Sequence, residues 1–393
     1  MKHTFPSIDY VMSLTPGGMK DGRDNVLKLM KILGNPQDTL RVFHVTGSNG
    51  KGSVCQMISQ VLWKAFGKRI GLFTSPHFID INERFQINGV QISDENLEKY
   101  YLYVLKLIKR HNIALSFFEI QVVVMILYFV DEKVDYAVVE VGLGGTYDGT
   151  NIFSSPLACF ITSITREHTH VLGKSRSTIL KNKLGIVKPG VHLYTPLDNE
   201  QIHIACRKLG ANLHTVKKDN QIKTNLPGKH QEKNARMVFE ALRDTGMDEE
   251  KIRIGLRDIY NPGRFEWLND HTLVDTANNE ENIRILQNMI KSLKIRKEVV
   301  ILFGTTQTEK DYAQKLSEMI PGDKIILVDD FCDRSLPCSE YLGKKKNVNI
   351  IHYFSDREKI QKILKDASKI KIIYGSLYLI GEIMRVSRYK PFA

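Results

Sequence analysis

Between Val45 and Ser53 the chain reads V-T-G-S-N-G-K-G-S, a spacing of glycine, lysine and hydroxyl that can hold phosphate. Gly47, Gly50 and Gly52 let backbone N–H groups turn toward an anion. Lys51 neutralises phosphate oxygens, and the Ser53 hydroxyl can help hold Mg²⁺. Ser48 and Asn49 complete the loop. They are the only residues between Gly47 and Gly50, fewer than the common P-loop has, and Gly52 stands between the lysine and the hydroxyl. The apolar run Val42, Phe43, Val45 leads in as a strand. From Ser53 onward Val54, Met57, Ile58, Val61, Leu62 and Ala65 recur at three- and four-residue spacing, which is one face of a helix. Strand, glycine loop and helix N-terminus together predict a nucleoside triphosphate site. The alternative is an ordinary glycine-rich strand-to-helix turn.

Three further groups could join that chemistry. Glu140 closes the run Tyr136–Val141, ahead of Gly142, Gly144 and Gly145. Ligands collect beyond the C-terminal ends of parallel strands, where a carboxylate is a natural Mg²⁺ ligand; capping the next helix is the competing role. The stretch I-T-S-I-T-R-E-H-T-H places Glu167, His168 and His170 in the loop after the following strand. Lys181, Lys183 and Lys188 form a basic helix end before Pro189-Gly190, which on residue types alone is a solvated face.

The elements that must position these groups alternate. Strands are expected at Arg41–Thr46, Ile70–Phe73, Tyr136–Val141 and Leu157–Ile164, and helices at Ser53–Phe66, Asp94–Lys109 and Glu119–Asp131. Such alternation predicts an α/β fold with a parallel-rich sheet covered on both faces. After the turn at Asn261–Gly263 the pattern restarts, with strands at Thr272–Asp275, Val299–Phe303, Lys324–Val328, Asn349–Tyr353 and Lys371–Tyr374. Residues 1–268 then form a first domain and 269–393 a smaller second one. A length of 393 residues, too great for one typical core, agrees with two domains.

Composition narrows the partners. A net charge of +12 suits anionic small molecules. Nucleic acid is disfavoured, because the lysines are spread along the chain and the densest runs, Lys217-Lys218 and Lys344–Lys346, read as solvated loops. No apolar run approaches a membrane span, and Met1–Tyr10 lacks the apolar core of a signal peptide. Cys55, Cys159, Cys206, Cys332 and Cys338 are scattered without metal-ligand spacing. Reduced thiols in a cytoplasmic monomer are the expectation.

Taken together, these pieces resemble the folylpolyglutamate synthase/dihydrofolate synthase family of Mur-type ligases. The matching stretches run in order along nearly the whole chain: L-G-N-P-Q at Leu33–Gln37, H-V-T-G-S-N-G-K-G-S at His44–Ser53, G-L-F-T-S-P-H-F at Gly71–Phe78 and N-E-R-F-Q-I-N-G at Asn82–Gly89. F-E at Phe118-Glu119, E-V-G-L-G-G at Glu140–Gly145 and D-G-T-N at Asp148–Asn151 follow. L-P-G-K-H-Q-E-K-N-A at Leu226–Ala235, P-G-R-F-E at Pro262–Glu266 and G-S-L-Y-L-I-G at Gly375–Gly381 complete the set.

The resemblance implies a P-loop Mur-ligase-type N-terminal domain and a smaller Rossmann-like C-terminal domain. It implies ATP-dependent joining of an amino acid, usually glutamate, to a carboxylate through an acyl phosphate. It assigns the triphosphate to Gly47–Ser53, and Mg²⁺, as two ions, to Ser53, Ser75, Glu140, His168 and Lys183, the lysine carbamylated. Gln231 and Asn234 match adenine-side contacts. Arg264 matches an interdomain arginine that reaches the ATP phosphates by closure about a linker near Trp267. Asp275 matches the C-terminal nucleotide motif. Lys51, Lys183, His168 and Arg264 are the implied catalytic groups. Phe118, Glu119 and Asp148 are implied on the acceptor side, and Ser376 on the amino-acid side.

The chain also departs from the family pattern. Asn278 stands where a histidine is usual, Glu309-Lys310-Asp311 comes one residue late, Thr146 replaces an arginine, Gly149 an alanine and Asn182 a glutamate. These changes leave room for a paralogue with a different acceptor or amine. They also leave room for a nucleotide-binding scaffold without catalysis. A kinase that stops at the phosphorylated acid is the third alternative.

Overall fold

The computed structural model describes residues 5–14, 22–166, 168–216, 222–307, 310, 313–341 and 349–387. Glu167, Lys217-Lys218, Glu309, Asp311 and Lys344–Lys346 lie outside the described residues. The chain forms two units, Met1–Pro76 with Asn82–Tyr260, and His77–Ile81 with Asn261–Ala393.

The first unit is built on an eight-stranded sheet. Its strands are β1 (Val42–Thr46), β2 (Ile70–Phe73), β3 (Phe85–Ile87), β4 (Val90–Gln91), β5 (Tyr136–Glu140), β6 (Ala158–Ile161), β7 (His192–Thr195) and β8 (Asn212–Thr215), in the order β4-β3-β2-β5-β1-β6-β7-β8. β2 to β8 across β5, β1, β6 and β7 pair in parallel, whereas β3 pairs antiparallel to both β2 and β4. β1 sits between β5 and β6 with every residue buried, as expected of a strand covered on both faces. Phe43 and Val45 face one core with Val54, Met57, Ile58 and Val238 from the helices Lys51–Gln60 and Lys229–Asp244. His44 and Thr46 occupy the opposite face by strand alternation.

The second unit holds a six-stranded sheet: β9 (Glu266–Asn269), β10 (Thr272–Asp275), β11 (Val299–Phe303), β12 (Lys324–Asp329), β13 (Asn349–His352) and β14 (Ile370–Tyr374). The order is β13-β12-β11-β14-β10-β9, and only β9 runs antiparallel. Separate cores cover its two faces, one around Leu286, Phe303 and Ile372, the other around Val328, Ile373 and Ile380. The boundary at 268/269 read from sequence falls inside β9.

Strand and helix positions follow the sequence pattern, with instructive differences at the ends. The strand expected over Leu157–Ile164 stops at Ile161, because Thr162 and Ser163 turn to bond the phosphate loop. The helix expected from Ser53 begins at Lys51, after Gly50 in the left-handed region, and gives way to a π turn at Val61–Ala65. The helix expected from Glu119 begins at Phe117, because Ser116 and Glu119 form a capping box. His170 lies in the short helix Thr169–Leu172 rather than in a loop. No disulfide links the five cysteines, and no helix among the described residues is long and apolar enough to cross a membrane.

Candidate functional site

The phosphate loop is held by the neighbouring strand end. The Ser48 amide donates to the Ser163 carbonyl (2.9 Å), and the Asn49 amide to the Ser163 hydroxyl (2.8 Å). Thr162 Oγ1 donates to the Asn49 carbonyl (2.6 Å), and the Thr165 amide to Ser48 Oγ (3.0 Å). The threonines and serine in I-T-S-I-T are thus loop clamps, a role that sequence reading missed. Their signal was the adjacency of two strand ends. Gly47 has φ +150°, and a Cβ there would lie 1.8 Å from Thr162 Oγ1, so this close approach requires glycine.

Around the loop gather several of the expected groups. Lys51 Nζ donates to the Gly47 carbonyl at 3.1 Å, which keeps the ammonium over the loop. Gln231 Nε2 donates to Ser53 Oγ, and Asn234 Nδ2 to Gln231 Oε1, both at 3.1 Å. A Cβ on Gly50 would lie 3.1 Å from Asn234 Nδ2, so the amide side chains flank the loop. β1 pairs with β5 so that Val45 faces Glu140. Glu140 Oε2 accepts from the Ser75 amide (3.0 Å) and lies 3.8 Å from where a Cβ on Gly52 would stand. A carboxylate therefore borders the first turn of the helix that presents the Ser53 hydroxyl. Hard oxygen donors of this kind fit a divalent cation bound to phosphate.

β5 runs from this carboxylate straight into the second cluster. A Cβ on Gly142 would lie 2.4 Å from Phe118 Cζ, so the Phe118 ring covers this turn. The Leu143 amide donates to Asp148 Oδ2 (2.8 Å), and the Thr150 amide and hydroxyl donate to Asp148 Oδ1 (3.0 and 2.6 Å). Burial raises the Asp148 pKa, while these donors pull it down. Glu119 is also buried, with its pKa raised first by burial and further by the Asp148 charge. Phe118, Glu119 and Asp148 thus converge on one turn.

Lys183 departs from its residue-type reading, for it is 2% exposed and not solvated. Its helix, Arg176–Lys183, ends against the same turn. The Asn182 carbonyl accepts from the Thr146 amide (2.9 Å) and hydroxyl (2.8 Å), and a Cβ on Gly145 would lie 2.9 Å from the Asn182 and Lys183 carbonyls. His168 stands at the position before the helix Thr169–Leu172 with its backbone in the left-handed region (φ +44°), and Leu172 of that helix packs on Gly144.

In the second unit Asp275, Arg264 and Ser376 share one end of the sheet. Asp275 Oδ2 accepts from the Phe265 amide and Oδ1 from the Ala277 amide, both at 2.8 Å. Burial raises its pKa, and the Arg264 charge opposes this. β10 and β14 pair Asp275 with Tyr374, and Ser376 caps the helix Leu377–Val386 just beyond, its Oγ accepting from the Tyr378 amide (3.2 Å). Asn278 lies beside Asn279, which caps the helix Glu280–Ser292.

The Mur ligase middle domain family matches residues 45–216, the stretch that carries the phosphate loop, Glu140 and Lys183. Dihydrofolate synthase/folylpolyglutamate synthase of Bacillus subtilis is 30% identical over 416 residues, covering 94% of this chain and 95% of that protein. Dihydrofolate synthetase of Saccharomyces cerevisiae is 34% identical over 273 residues, covering 67% of this chain and 61% of that protein. Folylpolyglutamate synthase of Thermotoga maritima superposes with a TM-score of 0.79 at 25% identity, covering 97% and 95% of the two chains. A bifunctional folylpolyglutamate synthase/dihydrofolate synthase from Yersinia pestis, solved with AMPPNP and manganese, shares the fold at a TM-score of 0.84 and 23% identity, covering 97% of each chain.

Two mostly parallel sheets and a glycine-lysine loop beside a strand-end carboxylate are the build of a Mur-type ligase. Within that class, the chain belongs to the dihydrofolate synthase/folylpolyglutamate synthase family.

Proposed function

We propose that the protein joins glutamate to the carboxylate of a pteroate or folate acceptor with ATP. The observation that carries this reading is the run from Glu140 to Asp148. One strand end borders the phosphate loop with its carboxylate and, two residues later, enters the turn formed with Phe118 and Asp148. A phosphate donor and an organic acid held at the two ends of that turn would meet.

A carboxylate is a poor electrophile. Transfer of the ATP γ-phosphoryl to its oxygen makes an acyl phosphate and ADP. The glutamate amine then adds to the acyl carbon, phosphate leaves and an amide forms. This chemistry gathers negative charge, so positioning and cations do most of the work. Lys51 and the N-terminus of Lys51–Gln60 neutralise phosphate oxygens. Ser53, Glu140, Ser75, His168 and Lys183 are the groups that would hold Mg²⁺, which supplies charge neutralisation for the transferring phosphoryl group; two ions and a carbamate on Lys183 belong to this reading. Gln231 and Asn234 serve the adenine side. Arg264, Asp275 and Ser376 serve the nucleotide and the amino acid from the second unit, and Phe118, Glu119 and Asp148 the acceptor.

Mass spectrometry of products after incubation with ATP, Mg²⁺, glutamate and a panel of dihydropteroate and folates tests the proposal. An acceptor heavier by one glutamyl residue is expected. Lys51→Ala should lower turnover at least ~100-fold at unchanged circular dichroism, on the scale of losing one charge-stabilising group. An acyl phosphate released without glutamate, trapped as hydroxamate by hydroxylamine added after the protein is removed, would instead point to a kinase. Absence of ADP across the panel would leave the scaffold reading.

A further inference from the structure

We propose that His44 and Thr46 brace the acceptor turn to the strand that ends in the phosphate loop, and that His44 positions Asp148 through Thr150. The inference rests on the acceptor role proposed above for Asp148. His44 Nε2 lies 2.9 Å from Thr150 Oγ1, and Thr150 Oγ1 donates its only proton to Asp148 Oδ1 at 2.6 Å. The hydroxyl can therefore only accept from the imidazole, which sets the proton on Nε2. His44 Nδ1 is buried without a hydrogen-bond partner, which fits an unprotonated nitrogen better than an N–H with no acceptor. The Phe153 ring stands edge-on to the imidazole, with centroids 5.6 Å apart.

The result is a one-way donor chain, imidazole to hydroxyl to carboxylate, in which each bond polarises the next. Burial first, and the Lys188 charge second, lower the His44 pKa to about 3, so the ring is a neutral donor across the working pH range. Two residues on, and on the same face of β1, Thr46 Oγ1 donates to the Gly144 carbonyl at 2.6 Å. β1 thereby grips the acceptor turn at both ends, at Gly144 and at Asp148–Thr150, and then becomes Gly47. Phosphoryl transfer depends on the spacing of donor and acceptor, and this strand sets it. His44 and Thr46 act as positioning residues, through Thr150 and through the Gly144 carbonyl.

Side-chain geometry provides the test. Glutamine places an N–H where His44 has Nε2, whereas asparagine places one where it has Nδ1. His44→Gln should keep the acceptor KM within about 3-fold of the unaltered protein, and His44→Asn should raise it about 10-fold, with the ATP KM unchanged in both. Thr150→Ser should behave like the first and Thr150→Val like the second. Equal acceptor KM values for the glutamine and asparagine variants, or a loss shared equally by ATP, would overturn the proposal. Nitrogen-15 NMR of the imidazole in the unaltered full chain is independent of turnover and of variant folding. It should show the Nε2-protonated ring, unchanged between about pH 5 and 9, where an unperturbed histidine titrates. A proton on Nδ1 would sink the brace. Failure of the unaltered protein to act on any acceptor would count against the proposed function, and the tautomer would then decide the brace alone.

Discussion

Gly142 and Gly149 show how single atoms shape the acceptor turn. A Cβ on Gly142 would lie 2.4 Å from Phe118 Cζ, so Gly142→Ala must displace that ring. It should weaken acceptor binding about 10-fold or more while leaving the ATP KM near its usual value, as steady-state kinetics in both substrates would show. At Gly149 the nearest atom to a new Cβ is Glu119 Cγ at 3.4 Å, an ordinary contact, and no left-handed backbone is involved. Gly149→Ala should therefore fold, with stability raised by about 0.5 kcal/mol in urea unfolding, because the unfolded chain loses freedom. Both glycines were visible in the sequence as parts of motifs. Which of them tolerates a side chain was not, because that depends on what Phe118 and Glu119, far away in the chain, bring alongside.

Elements carry their own consequences, and β14 supplies one with a pH signature. Lys371 lies on this strand with no exposed surface, its Nζ donating to the Asp366 and Lys369 carbonyls (2.6 and 3.2 Å). Burial lowers its pKa from 10.5 to about 8. Between those values the unfolded chain binds more protons than the folded one, so stability rises as pH rises through the window. The gain is complete above the unfolded pKa and absent below the folded one. The difference in urea-unfolding free energy between the native chain and Lys371→Met should change in that window by on the order of 3 kcal/mol, since other groups titrate alike in both. A flat difference would mean that the ammonium is already solvated in the fold. Element positions themselves were largely legible. Ile70–Phe73, Thr272–Asp275 and Val299–Phe303 lie where the apolar runs place them. The misplaced end at Ile161 has a tertiary cause, since the chain leaves the strand to clamp another loop, whereas those at Lys51 and Phe117 are local, set by a left-handed glycine and a capping box.

At the scale of the whole molecule, charge is the property that acts at a distance. A surplus of twelve positive charges on a chain proposed to take ATP, glutamate and a carboxylate acceptor favours encounter with anions. Raising NaCl from about 50 to about 500 mM should raise the ATP KM several-fold while moving kcat less, because screening acts on approach more than on groups already buried. A KM independent of salt would confine the effect of charge to the site. The nucleotide site was readable from residue types alone, because phosphate chemistry needs glycine, lysine and hydroxyl close together in the chain; the family was readable from the resemblance of its ordered motifs. The same local logic yields the alternation of strands and helices. The tertiary structure decided what local logic cannot reach. It buried Lys183, which by type belongs in solvent, and set Thr162 and Ser163 on the phosphate loop. It also joined His44 to Asp148 across a hundred residues. Those contacts arise from strand adjacency, and which strands lie side by side is settled by packing the whole sheet rather than by any segment of it.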